Sequence, residues 1–185
     1  MKLYLASSSP RRKELLSLAG LDFTVKVSDV DESFSEGLKP NEVVELLSNR
    51  KAEAVKKLVD SDSVVLAADT VVAFDNKILG KPKDEEDAFN MLKMLSGNTH
   101  NVYTGVCIAK GDEKVNYSVK SEVKFYELTD EEIREYIATH EPMDKAGAYG
   151  IQGKGSLLVE KIDGDYFNIV GLPIASVVRA LKKFN

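Results

Sequence analysis

The run Ser63-Val64-Val65-Leu66-Ala67-Ala68 constrains this chain more than any other stretch, because its apolar residues leave a strand no face to turn to water. Such a strand belongs at the centre of a sheet covered on both faces, which calls for an α/β architecture. The run stops abruptly at Asp69-Thr70. A carboxylate set into an apolar strand is costly unless it is paired or bound to a cation. Asp69 is therefore either a functional group or a buried Asp that caps a loop or pairs with an Arg. Apolar character resumes in Val71-Val72-Ala73-Phe74; Asp75-Asn76 then turns the chain, and Ile78-Leu79 leads to Gly80-Lys81-Pro82.

The rest of the chain supplies the cover. Lys2–Ala6 reads as a first strand, followed by a helix with Ser9 as N-cap, Pro10 as first residue and Gly20 as stop. Phe23–Val27 alternates as a half-buried strand, with Asp29, Asp31 and Glu32 in the polar stretch behind it. Helical stripes run from about Pro40 to Val59 and from Asp84 to Ser96, the second ended by Gly97. Val102–Ala109 and Lys114–Phe125 are predicted strands around a Gly111-Asp112 turn, and Thr129 with Glu132 forms a capping box that opens a further helix. Leu157–Ile162 and Tyr166–Val170 are predicted as a hairpin turning at Asp163-Gly164, before an amphipathic helix from Ile174 to about Phe184. The mixed order of elements predicts an elongated mixed central sheet flanked by helices, with two lobes around a cleft, all within one domain over residues 1–185.

Charge narrows the function. With 25 basic against 30 acidic residues the net charge is −5, which argues against general nucleic-acid or membrane binding, so any positive site must be local. The lone Cys107, in an apolar run, is expected to be a buried structural thiol. With two histidines and one cysteine, any metal is expected to be a hard ion held by carboxylates. His100 and His140 are given no role. The N-terminus leads straight into a strand without an apolar segment long enough for a signal peptide or a membrane span, so a cytoplasmic location is expected.

Positive charge concentrates in Ala6-Ser7-Ser8-Ser9-Pro10-Arg11-Arg12, where a strand runs through a serine-rich turn into a helix start. Free amides and the helix dipole favour an anion there, whereas two arginines at a helix N-terminus oppose the dipole. The stretch is an anion cradle or a solvated basic turn. Asp144 through Gly155 forms a glycine-rich loop, which implies tight turns or a ligand pressed on its backbone. No G-x-x-x-x-G-K-[ST], G-x-G-x-x-G after a strand, or G-x-S-x-G occurs, so the common NTPase, dinucleotide and serine-hydrolase folds are disfavoured.

Taken together, Ala6 to Arg12, Ala68-Asp69-Thr70, Leu79-Gly80-Lys81-Pro82, Val102-Tyr103-Thr104-Gly105-Val106 and Asp144 to Gly155 resemble the Maf family of nucleoside triphosphate pyrophosphatases, in its order and over nearly the whole chain. Arg12, Thr70 and Gln152 resemble the branch that acts on dTTP and UTP. The resemblance implies a fold similar to that of inosine triphosphate pyrophosphatases and cleavage between the α- and β-phosphates with Mg²⁺ or Mn²⁺. It further implies that Asp69 serves as base or water organiser and metal ligand, that Glu32 helps hold the metal, and that Lys51 and Lys81 neutralise the triphosphate. Ser7, Arg11 and Arg12 would bind it from the opening loop, and Thr70 and Gln152, with Arg12, would tune base selection. A carboxylate on a divalent cation is a poor base, so Asp69 as base and Asp69 as ligand stand in tension. The expected partner is the nucleotide, with neither nucleic acid nor membrane, and a homodimer is left open. The competing reading is a nucleotide-sensing regulator linked to septum formation that binds without productive hydrolysis.

Overall fold

A computed structural model describes residues 2–184. Its strands are β1 (Leu3–Leu5), β2 (Thr24–Val25), β3 (Val64–Phe74), β4 (Lys77–Leu79), β5 (Thr99–Lys110), β6 (Glu113–Phe125) and β7 (Val159–Asp163). They form one mixed sheet in the order β2-β1-β3-β5-β6-β7, with β4 also paired to β3. The β2, β1 and β3 strands are parallel, whereas β3, β5, β6 and β7 run antiparallel to their neighbours. The apolar run lies at the centre as its composition demands, with Val64 through Ala68 wholly buried.

Six helices flank the sheet among the described residues: α1 (Pro10–Leu18), α2 (Pro40–Lys56), α3 (Glu85–Leu95), α4 (Asp130–Ile137), α5 (Tyr166–Val170) and α6 (Ile174–Leu181). Strand alternation divides the core. Val65, Ala67 and Cys107 face Ala52 and Val55 of α2. Leu66, Ala68, Val106 and Ile108 face the opposite way, onto Leu15 and Leu16 of α1 and Val177 and Leu181 of α6. Further along the strands, Val72, Val102, Val123 and Phe125 pack with Leu92 and Leu95 of α3 and Ile133 and Tyr136 of α4. His100 is buried in this last cluster. Its Nε2 lies 2.8 Å from the Tyr149 hydroxyl, and burial lowers its pKa to about 4.

Three local expectations are corrected. The chain does not break at Asp69, because β3 continues from Val64 to Phe74 and Asp69 and Thr70 are half-buried residues in its middle. Tyr166–Val170 is a helix rather than the second arm of a hairpin: the Asp165 carboxylate caps it by accepting from Phe167 N at 2.8 Å, and Gly171 ends it at φ 123°. The aromatic and β-branched residues of that segment favour strand, and tertiary packing overrides the preference. Finally, Ser9 holds the N-cap position of α1 without a side-chain cap, its own N–H donating to Ser7 Oγ at 3.3 Å.

Candidate active site

The sheet opens where Asp69 lies. On the side of β3 away from β5, β1 pairs as far as Leu66 and β4 begins at Val72, so the intervening edge has no strand beside it. A cleft of about 2260 Å³ occupies this gap. All nine residues singled out in the sequence line it: Ser7, Arg11, Arg12, Glu32, Lys51, Asp69, Thr70, Lys81 and Gln152.

Consecutive strand residues point to opposite faces, so Asp69 and Thr70 serve different neighbours. Asp69 faces α2. Its Oδ1 lies 2.5 Å from Lys51 Nζ, which also lies 2.8 Å from Glu32 Oε1. The Lys51 and Asp69 side chains keep 17% and 14% of their exposure against 63% for Glu32, so the pair is held in a partly dry site with Glu32 at its rim. Hydrogen bonding to Lys51 holds the Glu32 carboxyl below its ordinary range against the opposing effect of burial.

Glycine brings α2 close enough for this contact. Gly105 pairs with Asp69 in the β3–β5 register and points to the same face, where an added Cβ would lie 2.2 Å from the Val44 carbonyl oxygen of α2. Helix backbone thus rests directly on sheet backbone. Lys51 follows Val44 by two helical turns and reaches back along the helix, as helical side chains do.

Thr70 faces the other way. Arg12 of α1 donates from Nε to the Gly171 carbonyl at 2.8 Å, from Nη1 to Ser7 Oγ at 3.0 Å and from Nη2 to Thr70 Oγ1 at 3.1 Å. The Thr70 and Thr104 hydroxyls stand 2.8 Å apart, and Thr104 donates to the Asn168 carbonyl at 2.9 Å. The chain therefore has one direction: Arg12 donates to Thr70, Thr70 to Thr104, and Thr104 to the backbone. Burial lowers the Arg12 pKa, with Asp69 opposing, yet a guanidinium stays charged. Each of its terminal nitrogens keeps one N–H beyond these bonds.

Loops supply the remaining groups. Lys81 is exposed, and the preceding Gly80 carbonyl accepts from Gly147 N at 3.0 Å. Gln152 is exposed on the glycine-rich segment. Arg11 stands near enough to Asp144 to add to the lowering of its pKa, which comes first from a 2.7 Å hydrogen bond to Lys145. Sequence reasoning gave no role to two residues that hold these loops, Arg50 and Glu141. Arg50 Nη1 donates to the carbonyls of Asp31 and Ser33 on either side of Glu32. Glu141 anchors the glycine-rich segment.

The donor set fits a hard divalent cation. Asp69 and Glu32 bring carboxylate oxygens within 3 Å of one point, the Lys51 nitrogen. One or two carboxylates completed by water and phosphate oxygens is how Mg²⁺ is usually held, whereas an all-protein cage takes more ligands. Among the described residues, no three His, Cys, Asp or Glu side chains stand together in such a cage. No described helix is long and apolar enough to cross a membrane.

The sequence matches the family described as "Maf-like protein" over residues 2–184. It is 54% identical over 184 residues to a dTTP/UTP pyrophosphatase of Bacillus cereus, covering 100% of this chain and 96% of the relative. It is 53% identical, with the same coverage, to the protein of that name from Bacillus thuringiensis subsp. konkukian. Among solved structures, the Staphylococcus aureus Ham1 protein shares the fold, with a TM-score of 0.55 at 15% identity over 99% of this chain and 98% of that one.

Proposed function

Since the chain belongs to the Maf-like protein family, we propose that it hydrolyses dTTP and UTP between the α- and β-phosphates, giving the nucleoside monophosphate and pyrophosphate. The observation that carries this reading is the shared lysine: one ammonium joins two carboxylates in a cleft that also receives Arg11, Arg12 and Lys81. Such a cleft holds a polyanion and an attacking water side by side.

The residues divide the work by their surroundings. Lys51, Lys81 and Arg11 offset charge on the phosphate oxygens, the larger part of catalysis in phosphoryl chemistry of this kind. Asp69 orients the water that attacks phosphorus and takes up its proton as the bond to the leaving pyrophosphate breaks. Ser7 and Arg12 present N–H and O–H groups from the opening turn, with Arg12 already fixed by Gly171 and Thr70. Gln152 faces the base with an amide that both donates and accepts. A bound Mg²⁺ or Mn²⁺, held by Asp69 and Glu32, would weaken Asp69 as a base but would also neutralise phosphate charge and acidify the water, so that a weak base suffices to take its proton. This reading has the protein act in the cytoplasm as a single two-lobed domain.

Incubation with dTTP or UTP and Mg²⁺, with the products identified by chromatography, tests the proposal. dTMP or UMP with pyrophosphate is expected. Recovery of dTDP and orthophosphate would overturn the assigned bond, and tight binding without turnover across several divalent metals would replace hydrolysis with nucleotide sensing.

A further inference from the structure

The glycines beside Gln152 have an occupant within the chain. The Glu141 carboxylate accepts from Lys154 N at 2.9 Å through Oε2, and from Gly155 N at 3.1 Å and the Tyr136 hydroxyl at 2.9 Å through Oε1. The same hydroxyl accepts from Gly150 N at 3.1 Å. An added Cβ would lie 2.2 Å from Glu141 Oε2 at Gly153, 2.6 Å from the Tyr136 hydroxyl at Gly155, and 2.6 Å from Lys145 Cε at Gly150. A side chain at any of the three would displace the carboxylate or its supports, and at Gly155 it would also meet the Gly150 carbonyl oxygen at 2.6 Å.

This clamp is well founded. Tyr136 belongs to α4 and is buried in the core behind it. The Glu141 carbonyl accepts from Lys145 Nζ at 3.0 Å. Burial pushes the Glu141 carboxyl up, but hydrogen bonds from Gly155, Lys154 and Tyr136 outweigh it and keep the group ionised below its ordinary range. Gln152 stands between the clamped residues, exposed and lining the cleft.

A loose Gln152 would select poorly. Uracil presents an acceptor at O4 and a donor at N3, whereas cytosine presents the reverse, and a free glutamine amide turns either its C=O or its NH₂ outward. Discrimination requires a fixed loop, since a site rejects the wrong partner by leaving its own polar groups unpaired. We propose that Glu141 is a positioning residue for base selection: through Tyr136 and the amides of Gly150, Lys154 and Gly155 it fixes the segment that carries Gln152. The inference rests on the reading above, in which Gln152 faces the base.

Glu141→Gln tests it, because the isosteric amide keeps one acceptor oxygen and turns an NH₂ toward a backbone N–H, of Lys154 or Gly155, that needs the other. The measurements are hydrogen exchange of the 150–155 amides, kcat and KM for UTP and CTP, and the melting midpoint. The expected result is faster exchange, a roughly tenfold fall in the UTP/CTP ratio of kcat/KM and a kcat for UTP within about threefold of wild type. Tyr136→Phe, which keeps the ring and removes the bridging hydroxyl, is expected to move exchange and selectivity the same way by less, and it carries the test if Glu141→Gln does not fold. Faster exchange with an unchanged ratio would overturn the proposal, as would unchanged exchange. Should the wild type turn over neither nucleotide, the proposed function fails. The UTP/CTP ratio of dissociation constants then judges this inference, which a wild type without preference or binding overturns.

Discussion

Asp69 and Gln152 line the same cleft but are held there in opposite ways. Asp69 lies mid-strand, paired through β5, with α2 resting on the Asp69–Gly105 pair and Lys51 closing on its carboxylate. Gln152 lies on a segment outside helix and strand, tied to the fold by the Glu141 carboxylate, the Tyr136 hydroxyl and the burial of its neighbour Ile151. A group that acts on a bond must be placed to a fraction of an ångström, and here sheet register and helix packing fix it several times over. A group that reads a base is held by a few hydrogen bonds, which a small number of substitutions can retune without disturbing the chemistry. Changes on the strand side should therefore abolish turnover, and changes on the loops should alter affinity or selectivity.

The largest effect belongs to Asp69. Asp69→Asn keeps the shape and an acceptor for Lys51 but removes the charge and the proton site. It should lower kcat for dTTP by about 10³ while the melting midpoint stays within a few degrees. Steady-state rates and thermal unfolding decide it, and a variant within tenfold of wild type would remove Asp69 from the chemistry. Next comes the contact that sets the geometry. At Gly105 a single methyl would meet the Val44 carbonyl oxygen at 2.2 Å, and because helix backbone has no rotamer to change, α2 must move. Gly105→Ala should lower the unfolding free energy by about 2 kcal/mol in denaturant titrations, and with it the activity, as Lys51 shifts from Asp69. Full activity in a folded Gly105→Ala protein would show that the strand side tolerates displacement as a loop does.

What was legible in the sequence follows the same division. The central strand, the Thr129 capping box and the helix stops at Gly20 and Gly97 are local signals, and Asp69 stood out because its surroundings in the chain are apolar. All nine candidate residues line one cleft because the gap in the sheet beside Asp69 gathers side chains from strand, helix and loop. The clamps were hidden. Glu141 is one of 30 acidic residues and gains meaning from the Lys154 and Gly155 amides, which fold onto it thirteen and fourteen positions later. Arg12 read as a cation offered to a ligand, yet it donates to the Gly171 carbonyl, 159 residues away. The Tyr166–Val170 helix was missed because strand preference in its side chains outweighs, in sequence, one capping aspartate.

The smallest effect tests whether Glu32 belongs with the strand or with the loops. Residues 26–39 contain no helix or strand, yet they deliver Glu32 to Lys51 at 2.8 Å. Two devices replace regular structure. The Asp31 carboxylate closes a turn on Ser33, accepting from its N–H at 2.8 Å and its hydroxyl at 2.7 Å, and Arg50 pins the carbonyls on both sides of Glu32. Arg50 and Lys51 are neighbours on α2, so one helical turn grips both the backbone and the side chain of this segment. Because Glu32 is the exposed member of the triad, losing Arg50 should loosen the loop without unseating Asp69. Arg50→Gln should raise the Mg²⁺ concentration for half-maximal activity about fivefold, a cost of about 1 kcal/mol, with kcat at saturating metal nearly unchanged. A metal titration of the dTTP rate measures this directly. A collapse of kcat comparable to that of Asp69→Asn would place Glu32 among the rigidly determined groups and break the division between strand and loops.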